Sequence, residues 1–276
     1  MKLRNFDIDN SEPMILMGGM NVLESRDIAM NVAEKFKKVT DKNDIGYIFK
    51  GSFDKANRSS ISSFRGPGID EGLKILQEIS NTFDIPVITD IHEPEQAVPV
   101  SEICEVIQIP AFLARQTDLI IAAAQTKSII QFKKPQFLSA QEMANVVEKC
   151  ESAGNKNITL CERGNSFGYN NLVVDTLNFQ ILKKISKPVI FDVTHSLQLP
   201  GGLGTSTDGR REFVLSLAKA GMSQSIAGLF LEAHPNPDEA KCDGPCALPL
   251  SCLDEFLTQI KELDDLVKNQ NNFEIK

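Results

Sequence analysis

Residues 50–60, with the sequence KGSFDKANRSS, hold a dense set of hydrogen-bond donors directly after the apolar run at residues 46–49. Two lysines, one arginine, one asparagine and three serines lie within these eleven residues. All of these side chains donate hydrogen bonds and three of them are cationic, so together they can surround an anion. The segment therefore predicts a phosphate site, and a solvated surface turn is the alternative for an isolated cluster of this composition.

Two further cations stand at the ends of later apolar runs. Lys133 ends the run at residues 129–133, and Arg163 comes soon after the run at residues 158–161. If both runs are strands of one sheet, both cations point into one cavity, where a multiply charged anion would compensate them. A lysine crowded by other cations could instead lose its proton and form a Schiff base with a carbonyl substrate. The residues alone leave both chemistries open.

These side chains need a framework that brings the ends of many strands together. A short β-branched run, a polar residue and an amphipathic helical segment recur eight times along the chain. This alternation predicts an α/β fold with a single (β/α)8 barrel, the TIM barrel. A doubly wound open sheet is the second choice, because no Gly-x-Gly-x-x-Gly turn follows the first run. The expected strands are residues 14–18, 47–50, 87–90, 106–109, 129–133, 158–161, 189–192 and 228–232.

A barrel places the residues at the carboxyl ends of its strands around one mouth. Each polar residue there could alone be an ordinary strand end, but eight of them form a candidate site: Asn21, Lys50, Asp90, Gln108, Lys133, Arg163, His195 and Glu232. The glycine-rich segment at residues 200–209 suits a lid over this mouth or a mobile surface loop. Helices are expected at residues 25–38, 71–83, 140–151 and 252–267.

The amino-acid composition limits the classes of protein to which this chain can belong. The 276 residues are 42% hydrophobic with a formal net charge of −8 at pH 7, and this acidic balance disfavours binding to nucleic acid. No apolar run reaches the roughly 18 residues of a membrane-spanning helix, and residues 1–7 lack the apolar centre of a signal peptide, so a cytoplasmic location is expected. Six cysteines in such a chain are expected to be reduced thiols, and the C-x3-C pair of Cys242 and Cys246 alone is a weak zinc site.

One domain is expected over residues 1–276, with a short extension at residues 1–13 and a frayed polar tail at residues 269–276. Six stretches within this domain carry a family resemblance. They are KANRSS at 55–60, RGPG at 65–68, QIPAFLARQTD at 108–118, FGYNNL at 167–172, FDVTH at 191–195 and CDGP at 242–245. Over nearly the whole chain, residues 14–267, the sequence resembles the 3-deoxy-D-manno-octulosonate 8-phosphate synthases.

The resemblance implies a homotetrameric barrel enzyme that condenses phosphoenolpyruvate with D-arabinose 5-phosphate and releases phosphate. This transferase reaction lies in the pathway to the Kdo sugar of lipopolysaccharide. By matching motif, the phosphoenolpyruvate-binding residues would be Lys55, Gln108, Lys133 and Arg163, with the backbone near Ala111. The arabinose 5-phosphate-binding residues would be Asn57, Arg58 and Ser59, together with Arg115, which with Phe112 would reach the site from a neighbouring subunit.

The resemblance also implies a set of catalytic residues, several of which could transfer protons. Asp90, His195, Glu232 and Asp243 are available for this work, with Lys50 near the reacting carbonyl and Asn21 beside them. The base among these groups is not assigned from the sequence, and a structural role for His195 stays open.

Two branches of the family, one metal-dependent and one not, differ after the first strand. Metal-dependent members carry a cysteine there, joined by a histidine, a glutamate and an aspartate. In this chain Asn21 takes the place of the cysteine, while His195, Glu232 and Asp243 match the other three ligands. Because an amide is a poor ligand for soft metals, the chain is expected to work without a metal and without another cofactor.

Two other functions stay open on sequence alone. One is a related synthase that joins phosphoenolpyruvate to a different aldose. The other is a non-catalytic regulator that binds a sugar phosphate, for which the full set of proton-transfer residues would be unnecessary.

Overall fold

The computed structural model describes residues 1–58, 60–202 and 208–271. Within these ranges eight parallel strands form the wall of a barrel, and each pairs with its neighbours in chain order. The barrel closes because the seventh strand pairs with the eighth and the eighth pairs with the first. The strands are β1 Ile15–Val22, β2 Gly46–Ser52, β3 Val87–Asp90, β4 Val106–Ile109, β5 Ile129–Lys133, β6 Ile158–Glu162, β7 Val189–Asp192 and β8 Gly228–His234.

Helices surround this wall and bury their apolar faces against it. In the described residues they are α1 Arg26–Lys42, α2 Ile69–Phe83, α3 Ala97–Ser101, α4 Thr117–Ala124, α5 Met143–Ser152, α6 Leu177–Lys183, α7 Val214–Met222 and α8 Leu253–Lys268. Helix α1 begins after Ser25, whose hydroxyl accepts a hydrogen bond from the Ile28 amide at 3.3 Å. Its buried face includes Val32 and Phe36, as the helical spacing predicts.

Side chains fill the barrel interior and form a packed core. Met17, Ile48, Ile88 and Phe230 belong to this inner cluster. A small hairpin made by Lys2–Leu3 and Phe6–Asp7 contributes Leu3 to the same cluster and covers the amino end of the barrel. The opposite end, where the strands reach their carboxyl termini, is the end at which active sites of this fold lie.

The prediction of a single (β/α)8 barrel is confirmed, and the open sheet is wrong because the first and last strands are joined. Gln198–Leu199 and Asp208–Gly209 pair as a short antiparallel ribbon at the base of the expected lid, while residues 203–207 lie outside the described ranges. Helix α8 ends at Lys268, and residues 272–276 of the expected tail also lie outside them. Among the described helices none is long and apolar enough to cross a membrane.

All six cysteines are unpaired thiols, as expected. Five are buried, and Cys252, directly before α8, is the exposed one. Burial raises the pKa of Cys150, Cys161 and Cys242 to about 12.

Candidate active site

A cavity of about 370 Å³ opens at the carboxyl end of the barrel. It is lined by strand ends and by the loops that follow them, where catalytic residues of this fold lie. The sequence-predicted residues that line it are Lys50, Lys55, Asn57, Arg58, Asp90, Gln108, Ala111, Lys133, Arg163, His195 and Asp243.

Two buried cations, Lys133 and Arg163, lie on neighbouring strand ends, and each is 5% exposed. The Lys133 ammonium forms an ion pair with Asp192 and lies 3.1 Å from the ring centroid of Phe230. Arg163 donates through Nη2 to Gln198 Oε1 at 2.8 Å, whereas its buried Nη1 has no hydrogen-bond partner among the described residues. A buried guanidinium with unused donors at a cavity wall is suited to an anion.

Lys55 and Arg58 bring the donor-rich segment into the same cavity. Burial opposes the charge of Lys55, but the carboxylates of Asp90 and Glu232 prevail and raise the pKa of its ammonium. Arg58 donates to the Cys242 sulfur, and its buried Nε has no partner in the described part of the chain. These contacts support the prediction of an anion site in this segment. Ser59, which belongs to the same segment, lies outside the described residues.

A second cluster surrounds Asn21 at the end of β1. The amide nitrogen of Asn21 lies 2.6 Å from Glu232 Oε2, 3.0 Å from Asp243 Oδ2 and 3.3 Å from His195 Nε2. Only the NH2 group of the amide can donate to two carboxylates, and this fixes its orientation. Lys50 completes the cluster by donating to the Asn21 carbonyl oxygen and to Glu232 Oε1, both at 2.8 Å.

Three side chains of this cluster are of types that can bind a metal ion. His195 Nε2 lies 3.4 Å from Glu232 Oε2 and 3.7 Å from Asp243 Oδ2, so the three groups converge on one region. The Asn21 amide donates hydrogen bonds into that region and offers no lone pair there, and the described residues bring no thiolate to it that could anchor a soft cation. The residues fit a hydrogen-bonded network better than a divalent metal.

The protonation states of the cluster follow from burial and charge. Burial alone would lower the pKa of His195, but Asp192 and Glu232 raise it above its usual value. Burial would raise the pKa of Asp243, but its hydrogen bond and charge interaction with His195 hold it well below the usual range. Lys50 has a lowered pKa because it is fully buried. His195 therefore takes up a proton more readily than a free histidine, opposite the ionised carboxylate of Asp243.

Asp90 forms a third polar group at the end of β3. It accepts a hydrogen bond from Ser52 and lies 3.3 Å from His92 Nε2. Burial would raise its pKa, but Lys55 and His92 lower it well below the usual value. Asp90 is therefore an ionised carboxylate facing a cationic cavity.

Not every predicted residue lines the cavity. Asn21 and Glu232 lie beneath its surface and reach it through their contacts with His195 and Asp243. Arg115 is exposed and does not line the cavity of its own chain. Phe112, expected beside Arg115 at a neighbouring site, lies at the rim of its own chain's cavity.

Sequence reasoning missed Asp192, which joins two parts of the site. Its Oδ2 lies 2.7 Å from His195 Nδ1 and also pairs with Lys133, and its Oδ1 accepts from the His195 amide at 2.9 Å. Asp192 ends β7 as Asp90 ends β3, and this parallel was the available signal. Gln198, the partner of Arg163, was also missed, because nothing in its sequence context marks it.

Fold and site together define a barrel protein whose mouth carries a cluster of cations suited to small, multiply charged anions, beside a second cluster of ionisable side chains. A sequence model of the DAHP synthetase I family matches residues 4–269, so the chain belongs to this family. It is 62% identical over 269 residues to a 2-dehydro-3-deoxyphosphooctonate aldolase of Pseudomonas putida, covering 98% of this chain and 96% of that protein. A protein of the same name from Hahella chejuensis is 62% identical over 274 residues, covering 99% of this chain and 98% of that one. The resemblance inferred from the sequence motifs is confirmed.

Proposed function

We propose that this protein condenses phosphoenolpyruvate with D-arabinose 5-phosphate and water, giving 3-deoxy-D-manno-octulosonate 8-phosphate and phosphate. The observation that carries the proposal is the convergence of Lys55, Arg58, Lys133 and Arg163 on one cavity beside the His195 cluster. The two substrates together bring about five negative charges at neutral pH, and they can meet only where fixed cations offset their repulsion. The name shared by the relatives supports the same assignment.

Phosphoenolpyruvate is proposed to lie against Lys55, Lys133 and Arg163, with Gln108 and the backbone of Ala111 beside it. The buried Nη1 of Arg163, which has no partner among the described residues, and the raised pKa of Lys55 support this placement. Arabinose 5-phosphate is proposed to lie against Asn57, Arg58 and Ser59, two of which line the cavity in the described residues.

The proposed reaction needs no covalent intermediate with a lysine. Phosphoenolpyruvate already stores a carbon nucleophile, so its C3 attacks the aldehyde, water attacks C2, and the bond from C2 to the phosphate oxygen breaks. Lys133 pairs with Asp192 and Lys50 pairs with Glu232, so both amines are engaged by carboxylates, which supports this route over a Schiff base.

Proton transfer is proposed to involve His195 and Asp243. Asp192 raises the pKa of His195 and so favours its imidazolium form, which can donate to the oxygen of the aldehyde as it gains charge. Asp243 is ionised and lines the cavity, so it can accept a proton from the attacking water. Asn21 donates to Asp243, Glu232 pairs with His195 Nε2, and Lys50 neutralises Glu232, so these residues hold the two groups in place.

We further propose that the reaction proceeds without a metal, because an amide N–H occupies the centre of the Asn21 cluster. A single-domain homotetramer in the cytoplasm is proposed as the working form. Several large apolar side chains exposed in the single chain support assembly, namely Phe112, Phe167, Tyr169, Leu177 and Phe213. In this assembly Arg115 would complete the sugar-phosphate site of a neighbouring subunit.

The direct test is to mix the purified protein with phosphoenolpyruvate and arabinose 5-phosphate and to measure phosphate and the eight-carbon product. Stoichiometric formation of both is expected. A panel of other aldoses and aldose phosphates separates this function from a related synthase. Tight binding of either substrate without turnover on any aldose would favour a regulator and overturn the proposal.

A further inference from the structure

A fully buried ion pair lies behind the cationic part of the cavity. Lys134 and Glu162 are each 0% exposed, and Lys134 Nζ lies 3.5 Å from Glu162 Oε1. Lys134 directly follows Lys133, and Glu162 directly precedes Arg163. Because side chains alternate along a strand, the two cavity cations point into the mouth while this pair points to the other side of the wall.

The Lys134 ammonium joins the two loops that follow β5 and β6. It donates to the carbonyl oxygens of Pro135 at 3.3 Å and Leu138 at 3.4 Å in the first loop. In the second loop it donates to the carbonyl oxygen of Gly164 at 3.4 Å and to Asn165 Oδ1 at 3.0 Å. One buried charge therefore sets the separation of two loops that begin directly beyond the cavity cations.

Glu162 fixes the backbone that carries Arg163. Its Oε1 accepts from the amide of Arg163 at 2.9 Å and from the amide of Gly164 at 2.6 Å. Gly164 has a φ of +89°, a left-handed conformation that glycine adopts without strain. The carboxylate thus holds a sharp turn at the point where the Arg163 side chain leaves the wall.

The energetics argue against a purely structural role for this pair. Removing two charges from water costs several kcal/mol for each ion, and apolar residues of similar size are often as stable or more stable in such places. The neighbouring outward positions Ile130, Phe132 and Leu160 are apolar and buried. A charged pair at this one place in the wall is therefore better explained by the geometry that it imposes.

We propose that Lys134 and Glu162 are positioning residues that hold Lys133 and Arg163 at the spacing required by the anionic groups of phosphoenolpyruvate. This inference rests on the proposed function for the identity of the ligand. It predicts that loss of the pair weakens phosphoenolpyruvate specifically, because the sugar-phosphate residues lie on the separate segment around Arg58.

The test uses Glu162→Gln, Lys134→Met and the double variant. Each single variant is expected to raise the KM for phosphoenolpyruvate about tenfold, because small displacements of binding groups have large effects. The KM for arabinose 5-phosphate should stay within about twofold, and the double variant should resemble the singles, because the pair acts as one unit.

Lys268→Met is the matched control. It breaks the buried ion pair between Lys268 and Asp264 on α8, whose Nζ and Oδ1 atoms lie 2.7 Å apart and far from the mouth. It should lower the melting temperature and leave both KM values unchanged.

Equal weakening of both substrates, or an unchanged phosphoenolpyruvate KM in folded variants, would overturn the inference. Failure of both single variants to fold would also overturn it, because the pair would then be needed for folding itself. Titration calorimetry with phosphoenolpyruvate separates this inference from the proposed function. A wild type that binds phosphoenolpyruvate without turnover rejects the function, and the affinities of the variants still decide the role of the pair. A wild type that does not bind it rejects both.

Discussion

The carboxylate of Asp192 contacts both the proposed anion site and the proposed proton-transfer cluster. It pairs with Lys133 and with His195 Nδ1, so its charge both offsets a cation of the cavity and raises the pKa of the imidazole. The nearby cations and His195 hold the pKa of Asp192 well below its usual value despite complete burial. A neutral replacement should therefore alter the pH dependence of activity as well as the rate.

Asp192→Asn should lower kcat by about 100-fold or more, in the range of a lost general acid. Its pH profile should also change. Activity that requires protonated His195 is present below the pKa of that group and is lost as pH rises through it. Because Asp192 raises this pKa, the asparagine variant should lose activity at a lower pH than the wild type.

Rate measurements from pH 5 to 10 check this prediction, with Asp70→Asn at an exposed position as the control. An alkaline limb at the same pH in Asp192→Asn and wild type would show that His195 is not the titrating donor.

Arg163 and Arg58 should separate the two substrates. Arg163→Ala is expected to weaken chiefly phosphoenolpyruvate and Arg58→Ala chiefly arabinose 5-phosphate, because the proposed assignment gives each arginine a different substrate within the one cavity. Each change should cost roughly 2 to 4 kcal/mol in kcat/KM, as for a broken buried charge contact. Steady-state kinetics with each substrate varied in turn measure this. Loss of affinity for the same substrate in both variants would contradict the two-part assignment.

The residue type at position 21 is expected to determine whether the His195 cluster requires a metal. Chelator should leave wild-type activity unchanged. Asn21→Cys places a thiolate beside an imidazole and two carboxylates, a ligand set suited to zinc, iron or manganese. The variant should bind one divalent ion per chain, as metal analysis would show, and should lose activity on chelation. A wild type inactivated by chelator, or a variant that takes up no metal, would be inconsistent with this view of the site.

Most residues of the candidate site could be predicted, because a sequence motif shows directly which side chains are present. The contacts between those side chains could not be predicted. Lys133 and Arg163 were found from their places at strand ends, and the structure places both in the cavity. Asp192 was not found, because its importance lies in contacts with Lys133 across two strands and with His195 in the following turn. Such pairings depend on barrel register and loop geometry, which a single sequence does not encode locally.

At the scale of elements, the position of the carboxyl end of β1 depends on the close approach of its backbone to β2. A Cβ at Gly19 would overlap the carbonyl oxygen of Lys50, so only glycine allows this approach. The register between the two strands shifts directly beyond Gly19, and the shifted segment carries Asn21. The relative position of Asn21 and Lys50 is therefore set by a residue without a side chain.

Gly19→Ala should destabilise the protein by about 1 to 3 kcal/mol, as overpacking does. It should also reduce kcat, because Lys50 and Asn21 would move apart. Thermal unfolding and steady-state kinetics measure the two effects. A variant with wild-type stability and kcat would show that the strands can separate here at no cost.

Element boundaries were predicted best where apolar patterning coincides with hydrogen bonding. Strands β3, β4, β5 and β7 match their predicted limits. Strand β1 was expected to end at residue 18 but continues to Val22, because its paired backbone carries the polar Asn21 beyond the apolar run. Helix α1 was expected to end at residue 38 but continues to Lys42, where the Thr40 hydroxyl donates to the Phe36 carbonyl oxygen at 2.9 Å.

For the whole molecule, the assembly proposal predicts sites shared between chains. Arg115→Ala and Arg163→Ala homo-oligomers should each be nearly inactive. Mixed oligomers should regain partial activity, because some sites would combine an intact Arg163 with an intact Arg115 from another chain. Activity after mixing and reassembly, with mixed oligomers verified by mass spectrometry, tests this. An absence of recovery would place Arg115 outside a shared site.

The single exposed thiol, Cys252, offers a simple means of observing that assembly. Buried thiols with raised pKa values are protonated at neutral pH and shielded from reagents, so a maleimide spin label should react with Cys252 in the native protein and spare the other five. Each chain would then carry one label. Every dipolar distance recorded from such a sample would run between chains, and the set of distances would give the symmetry of the oligomer directly.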